Sequence, residues 1–302
     1  MKELGKVAVL MGGTSAEREI SLISGKAVLE ALVAAGVDAF VYDPAERPVW
    51  ELKADRVFNI LHGGAGEDGT IQGALDLMGI PYTGSGVLAS ALAMDKLRTK
   101  WLWQAAGIPT PRARRVFSAA EGPVVVAELG LPLIVKPVRE GSSIGLTKLV
   151  RIEDFPAAFA AATEGGKEAM AEAFLSGTEY TVAVLGRRVL PVIRIDPPAE
   201  GYDYRNKYFT DAVRYRCPAD LPATVEAEIG ATVLAAFDAL GCRGWGRADL
   251  IRGADGSYGL LEMNTNPGMT GHSLVPMAAQ AAGIGFGELV LQILAEASCG
   301  QG

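Results

Sequence analysis

The pair Asp255-Gly256 lies between two strand-like runs, and this arrangement constrains the fold more than any other short segment of the chain. An Asp-Gly pair in such a setting predicts a hairpin with a two-residue turn. That turn places Asp249 opposite Glu262 and Arg247 opposite Asn264. Because side chains two residues apart point to the same face of a strand, all four are predicted to project together.

The predicted cluster offers two carboxylates and an amide oxygen beside a guanidinium, without histidine or cysteine. Oxygen-only ligands favour Mg²⁺ or Mn²⁺ over zinc, and Mg²⁺ commonly completes its shell with phosphate oxygens. The alternative is a cross-strand salt bridge on a solvated face, contributing less than about 1 kcal/mol. We favour the metal site because a polar loop, residues 264–268, borders the cluster.

The rest of the sequence predicts an α/β architecture. Its 302 residues suggest two domains, or three small ones, at roughly 150 residues per domain. Strands and helices alternate in the first third, as in a parallel α/β unit, and the pattern becomes antiparallel after a linker at 107–111. The predicted strands are 6–11, 39–43, 56–61, 131–136, 144–150, 178–185, 188–195 and two around Gly256; the predicted helices are 17–35, 70–78, 101–106, one from 154, 224–240 and a C-terminal set.

Charge, cysteine content and hydropathy exclude several classes of protein. A formal net charge of −7 argues against a nucleic-acid partner, because phosphate backbones select basic surfaces. The three cysteines, Cys217, Cys242 and Cys299, have no zinc or disulfide spacing, which fits the reducing cytosol. No apolar run approaches the length of a membrane span or a signal peptide. We therefore predict a cytoplasmic protein that binds no membrane.

Two glycine-rich segments could bind phosphate. Lys136 ends an apolar strand, and residues 139–145 supply glycines and hydroxyls for a nest of backbone N–H groups. Taken alone, a lysine that ends a strand before a turn is the commoner explanation. Residues 64–69 match a dinucleotide fingerprint, but Glu67 and Asp68 would put negative charge where a pyrophosphate should lie. Nicotinamide binding stays a competing hypothesis.

Other prominent residues have plain structural explanations. Thr14 and Glu17 have the spacing of a capping box at the start of the first long helix. Trp101, Trp103 and Tyr180 lie at helical or strand spacing and are predicted to be core residues.

Several motifs occur in one order along nearly the whole chain. They are GGTSAEREIS at 12–21, HGGAGEDGT at 62–70, MDK at 94–96, KP at 136–137, REGSS at 139–143, GRAD at 246–249 and EMNTNPGMT at 262–270. Together they resemble the D-alanine–D-alanine ligase family of the ATP-grasp superfamily. An ordered set is far more specific than any single motif, so little remains to support nicotinamide binding.

The resemblance implies an α/β protein of three-domain ATP-grasp architecture, with ATP clasped between the second and third domains. It implies an N-terminal parallel α/β substrate domain at 1–95, a central α+β ATP-grasp domain at 96–187, and a C-terminal α+β ATP-grasp and metal-binding domain at 188–302.

The same resemblance implies roles for individual residues. Two Mg²⁺ ions, or Mn²⁺, would be held by Asp249, Glu262 and Asn264, in agreement with the hairpin pairing. The implied ATP-binding residues are Lys96, Lys136, Glu172, Phe174, Leu175, Glu179 and Lys207. The implied catalytic residues are Glu17, Ser142, Tyr208, Arg247 and Gly268, and the implied substrate-binding residues are His62, Ser273 and Leu274. Ala173 replaces the lysine common in the family, at a position expected to act through its backbone carbonyl.

The activity implied by the resemblance is ATP-dependent ligation of two D-alanine molecules through an acylphosphate, for peptidoglycan precursor synthesis. Tyr208 goes in the family with D-alanine as second substrate. It lies in a long segment, 197–218, that we expect to close over the site and exclude water. Another carboxylate–amine ligase, including a D-alanine–D-lactate ligase, and an ATP-binding sensor without turnover remain alternatives. We also expect a homodimer, and assistance by K⁺ stays open.

Overall fold

The first third of the chain folds as a parallel sheet flanked by helices. The structure, a computed structural model, describes residues 4–141, 144–197 and 213–300. Its first sheet has the order β2-β1-β3, with β1 Val7–Leu10, β2 Ala39–Tyr42 and β3 Arg56–Asn59. The flanking helices are α1 Arg18–Ala34 and α2 Thr70–Met78. The predicted parallel α/β unit is confirmed.

The middle of the chain forms an antiparallel sheet. Helices α3 Val87–Met94 and α4 Lys96–Ala105 lead into it. Its order is β4-β7-β5-β6, with β4 Ala113–Val116, β5 Leu133–Pro137, β6 Thr147–Leu149 and β7 Ala169–Ala173, packed against α5 Gly122–Leu129 and α6 Phe155–Ala162. The strand predicted at 144–150 is shorter than expected, because residues 144–145 form a turn.

The last sheet is also antiparallel and carries the predicted hairpin. Its order is β11-β10-β8-β12-β13, and β9 pairs with β8; the strands are β8 Thr178–Leu185, β9 Arg188–Val189, β10 Ile193–Asp196, β11 Arg214–Arg216, β12 Trp245–Arg252 and β13 Tyr258–Asn264. The helices are α7 Ala223–Ala239, α8 Leu274–Ala281 and α9 Phe286–Ala295. The single strand predicted at 188–195 is divided at Pro191, which has no N–H to donate to a ladder.

The cores explain how the sheets are held together. One face of the last sheet shares a core with the first sheet and with α1, α8 and α9, through side chains such as Val7, Phe58 and Leu289. The opposite face packs against α4 and α7. The middle sheet has a separate core against α5 and α6.

Two of the three aromatic residues predicted to be core residues are buried. Trp103 and Tyr180 are buried, and Trp103 Nε1 donates a hydrogen bond of 3.1 Å to the carbonyl of Ala236. The prediction is wrong for Trp101, whose residue surface is 47% exposed. Residues two apart on a helix lie about 200° apart around its axis, so Trp101 and Trp103 cannot share a buried face.

Strand β8 belongs to the last sheet, although the expected domain boundary after residue 187 would group it with the middle one. The division at 95/96 and 187/188 stays a prediction. Among the described residues no single helix is long and apolar enough to cross a membrane. Helices α8 and α9 have the required length and hydropathy only when they are taken together, and the chain bends by 105° between them.

Candidate active site

The hairpin between β12 and β13 has a three-residue loop, so the predicted two-residue turn is wrong. Gly253 N–H donates to the carbonyl of Ser257 at 2.7 Å, and Gly256 N–H donates to the carbonyl of Gly253 at 3.1 Å. Gly256 has φ +87°, the left-handed conformation that closes such a loop and that favours glycine. The loop alone would shift the pairing by one residue.

A β-bulge restores the pairing before the site. Leu250 pairs with Leu260, whereas Asp249 pairs with Glu262, so one extra residue lies in β13. Beyond the bulge, Arg247 pairs with Asn264. The predicted juxtaposition of the two carboxylates is therefore confirmed, although the turn that suggested it is different.

Asp249 is buried and held by three neighbours. Arg247 donates from Nε and Nη2 to its two carboxylate oxygens at 2.9 and 2.8 Å. Thr181 Oγ1 donates at 2.6 Å, and Asn264 Nδ2 lies 3.2 Å from Oδ2. A bidentate guanidinium fixes the carboxylate plane as well as its charge. The carboxylate therefore has one preferred orientation.

Glu262 faces a lysine from another part of the fold. Lys96 Nζ lies 3.2 Å from Glu262 Oε2 and donates to the carbonyl of Glu140 at 2.8 Å. Lys96 is the first residue of α4, whose start is capped by Asp95 through a 3.0 Å bond from Arg98 N–H. Capping thus fixes the base of the side chain that reaches the carboxylate.

The donor set fits a hard divalent cation. Among the described residues, no group of three or more His, Cys, Asp or Glu side chains could hold a metal ion. The set here is two carboxylates, Asp249 and Glu262, with the Asn264 amide beside them. Mg²⁺ is usually held by one or two carboxylates plus substrate phosphates, so this set suits a cation that arrives with a nucleotide.

A cavity of about 210 Å³ opens beside these carboxylates, lined by residues of the middle and last sheets. Its charged lining comprises Lys96, Lys136, Glu140, Glu172, Glu179, Asp249 and Glu262, and its apolar lining includes Ile134, Ile144, Leu146, Phe174, Leu175, Ile251 and Leu261. Six of the seven implied ATP-binding residues lie here; the seventh, Lys207, lies outside the described residues. A nucleoside polyphosphate requires cations for its phosphates and an apolar slot for its base. The lysines, the carboxylates that can hold a metal ion and the apolar lining together offer both.

Two lysines share the Glu172 carboxylate. Lys136 Nζ lies 2.6 Å from Oε1, and Lys100 Nζ lies 3.0 Å from Oε2. Burial would raise the pKa of Glu172, but the two lysines outweigh it and lower that pKa to about 2. Lys100 was missed from the sequence; the available signal was its position four residues after Lys96, on the same helix face.

His62 is buried with both ring nitrogens engaged. Nδ1 lies 3.1 Å from the carbonyl of Asn266 and must donate to it, so Nε2 accepts from Ser24 Oγ at 3.3 Å. Ser24 Oγ in turn accepts from Met269 N–H at 3.2 Å. Burial lowers the pKa of His62 to about 4, against the raising effect of the Asn266 bond. A neutral imidazole therefore joins α1 to the loop after β13.

A histidine NMR titration should separate the two imidazoles of the chain, His62 and His272. The signal that disappears in the variant His62→Asn belongs to His62. We expect this imidazole to remain neutral down to about pH 5, with a pKa of about 4. The stability that neutral His62 contributes is complete above the ordinary pKa of 6.5 and is lost as the pH falls through 4. A midpoint near 6.5 for that signal would contradict the buried network.

Glu17 lies at the start of α1 without the predicted capping box. The helix begins at Arg18, and the side chain of its N-cap residue, Glu17, makes no capping hydrogen bond. Ser15 Oγ instead accepts from Glu17 N–H at 3.2 Å and donates to the carbonyl of His62. The capping-box prediction is wrong because the chain makes a turn at 14–17 before the helix starts.

Glu67, considered from the sequence only as a charge unfavourable to a pyrophosphate, lies beside Glu17 as a second carboxyl group. Its Oε2 accepts from Gly63 N–H at 2.8 Å, and a Cβ atom on Gly63 would lie 2.9 Å from Glu17 Oε2. Burial, followed by the negative charge of Glu17, raises the pKa of Glu67 to about 8. The raised pKa favours the protonated form of Glu67, which adds less negative charge beside Glu17 than an ionised carboxylate would.

The loop after β13 brings Gly268 against Ser273, the residue before α8. A Cβ atom on Gly268 would lie 2.9 Å from Ser273 Oγ, which accepts from Thr270 N–H at 2.9 Å. Within the described residues, Gly268 N–H has no hydrogen-bond partner. Leu274, the first residue of α8, is buried. The backbone here can approach a ligand closely and donate to it.

Some predicted features fall outside the described residues. Ser142 and Tyr208 lie there, as does most of the expected lid at 197–218. Within that segment the structure does describe residues 214–216, which form β11 and pair with β10 rather than remaining a loop.

The comparisons with known proteins agree over nearly the full chain. Residues 42–85 match the model of the D-ala D-ala ligase N-terminus, and residues 102–295 match that of the C-terminus. The D-alanine–D-alanine ligase of Aromatoleum aromaticum is 58% identical over 301 residues, which cover 99% of this chain and 97% of that protein. The crystal structure of D-alanine–D-alanine ligase from Bacillus anthracis complexed with ATP has a TM-score of 0.81 at 30% identity, covering 96% of each chain. The VanG D-Ala:D-Ser ligase from Enterococcus faecalis has a TM-score of 0.83 at 31% identity, covering 96% of this chain and 98% of that one.

Proposed function

This chain belongs to the D-alanine–D-alanine ligase family, and from that premise we propose that it joins two D-alanine molecules into D-alanyl-D-alanine at the expense of ATP. The observation that carries the proposal is the pairing of Asp249 with Glu262 beside Lys96, in a cavity with an apolar slot. The family's reaction brings two anions together, a carboxylate and a triphosphate. It therefore needs a site whose lysines and bound metal ion reduce the repulsion between them.

In the first step, a carboxylate oxygen of one D-alanine attacks the γ-phosphorus, and the bond to the β-phosphate oxygen breaks. The products are an acylphosphate and ADP. Lys96 and Lys136 would bind phosphate oxygens and reduce the repulsion between the anions, as positioning and charge do in other phosphoryl transfers. Asp249, Glu262 and Asn264 would hold Mg²⁺ or Mn²⁺, which when bound would offset phosphate charge and orient the triphosphate.

In the second step, the amine of the other D-alanine attacks the acylphosphate carbonyl, loses a proton, and inorganic phosphate leaves. Arg247 and the Gly268 N–H would stabilise the oxyanion that forms at this carbonyl. Glu17 would pair with the ammonium of the first D-alanine, and Ser142 and Tyr208 would complete that contact. His62, Ser273 and Leu274 would line the substrate positions.

The remaining parts of the proposal follow the family. We propose a cytoplasmic homodimer that supplies peptidoglycan precursors and takes D-alanine as second substrate. The resemblance to a D-Ala:D-Ser ligase makes D-serine, beside D-lactate, the natural competitor in a test of that choice.

Phosphate release and product mass test the function directly. With Mg²⁺ and ATP, we expect release only when D-alanine is present, a D-alanyl-D-alanine product, and no product from L-alanine. Release that does not require D-alanine would reject ligation, and no release at all would favour an ATP-binding sensor. Preferred formation of a mixed product with D-lactate or D-serine would instead identify another ligase of the same superfamily.

A further inference from the structure

Lys100 is a buried cation for which the proposed reaction has no use. Its side chain is 0% exposed, and its Nζ lies 3.0 Å from Glu172 Oε2. Its Nζ also donates to two neutral oxygens, Thr110 Oγ1 at 3.0 Å and the carbonyl of Leu260 at 3.4 Å. A charge buried this completely costs free energy unless it is paired, so Lys100 depends on its ion pair with Glu172.

The two lysines on Glu172 occupy different positions. Lys136 and Glu172 both line the cavity, whereas Lys100 does not and lies behind the carboxylate. Glu172 is paired with Ile134 across β5 and β7, which places it at the apolar part of the lining. Lys136 can therefore turn towards a bound phosphate or base, whereas Lys100 can only stay with Glu172.

We propose that Lys100 is a positioning residue that keeps the Glu172 carboxylate ionised and oriented, and thereby makes the slot prefer a purine with an amino group at C6 over one with a carbonyl. This inference rests on the proposed function, because it takes a nucleotide as the ligand of the cavity.

The preference follows from hydrogen-bond chemistry. An ionised carboxylate only accepts hydrogen bonds, whereas a protonated carboxyl group can also donate one. Ionised Glu172 would therefore accept from the amino group of adenine and repel the carbonyl oxygen of hypoxanthine. When Lys136 moves to a nucleotide, Lys100 is the remaining cation that opposes protonation of a carboxylate in this buried place.

Lys100 also ties the carboxylate to the strand that carries the other site residues. The carbonyl of Leu260 in β13 accepts from Lys100 Nζ and, at 2.8 Å, from Thr110 Oγ1. Glu262 and Asn264 lie farther along that strand. After Lys100→Met, Thr110 still satisfies the Leu260 carbonyl, so the substitution mainly removes the charge behind Glu172.

Binding of ADP and IDP by Lys100→Met, measured by calorimetry, tests this role, with kcat/KM for ATP and ITP as a second readout. We expect the preference for adenine over hypoxanthine to fall by about tenfold, the value of one hydrogen bond to a charged group. The matched control is Lys26→Met, which removes an exposed lysine of α1 and should leave the preference unchanged.

A double-mutant cycle is completed by Glu172→Gln and the double variant Lys100→Met/Glu172→Gln. The double variant also removes the unpaired carboxylate charge, so it can be measured if Lys100→Met alone folds poorly. We expect Lys100→Met to cause no further loss of preference once Glu172 is Gln. An unchanged preference in Lys100→Met, or equal losses in both backgrounds, would overturn the role of Lys100. Failure of the unmodified protein to bind either nucleotide would instead reject the proposed function.

Discussion

Glu262→Gln should lower kcat by about 100-fold or more while leaving the fold intact. The substitution keeps the shape of the side chain but removes the negative charge that faces Asp249 and that pairs with Lys96 at 3.2 Å. A neutral amide is a weaker ligand for Mg²⁺, and loss of charge at a phosphoryl-transfer site directly reduces stabilisation of the transition state. Initial rates at saturating ATP and D-alanine, over a Mg²⁺ titration, measure the effect.

The Mg²⁺ titration makes the result specific. We expect the midpoint for Mg²⁺ to shift upward in Glu262→Gln and not in Glu288→Gln, which changes an exposed glutamate of α9 whose side chain accepts from Gln292. A normal midpoint together with a normal kcat would show that Glu262 does not bind the cation. Circular dichroism of both variants checks that the fold is retained.

Arg247→Lys should lower kcat by a factor of about 10² to 10³, the usual cost of losing one oxyanion donor. Lysine keeps the charge but lacks the planar fork with which Arg247 holds both oxygens of Asp249, at 2.9 and 2.8 Å. We therefore expect slower turnover with a smaller change in ADP binding. Single-turnover formation of dipeptide and calorimetry of ADP binding separate the two effects.

Arg187→Lys is the matched control because Arg187 also donates from two nitrogens, Nη1 and Nη2, to both oxygens of an aspartate, Asp238, at 3.1 and 2.9 Å on the exposed surface. An exposed pair of this kind contributes little to stability, so this variant should be fully active. If Arg247→Lys turns over normally, a point charge suffices at this position and the oxyanion role of the guanidinium is excluded.

The facing carboxylates could be predicted from the sequence because a hairpin allows few pairings. The prediction succeeded although the loop has three residues, since the extra residue of the bulge in β13 returns Asp249 to Glu262. A bulge has no reliable signal in the sequence of one strand, as it depends on both partners. The chemistry of paired carboxylates was thus easier to predict than the backbone that presents them.

The buried networks could not be predicted in the same way. The partners of His62 come from α1 and from the loop after β13, about 38 and 204 residues away along the chain. Lys100 meets Glu172 only because α4 packs beside the middle sheet. Such contacts depend on tertiary packing, and helical spacing of Trp101 and Trp103 was likewise insufficient to say which of them is buried.

A crystal structure of the protein grown with ADP and Mn²⁺ tests the metal site most directly, because anomalous scattering locates manganese independently of the protein atoms. We expect manganese peaks within coordination distance of Asp249, Glu262 and Asn264, between these side chains and the ADP phosphates. Peaks elsewhere, or ADP bound while Asp249 and Glu262 point apart without manganese between them, would contradict the assignment.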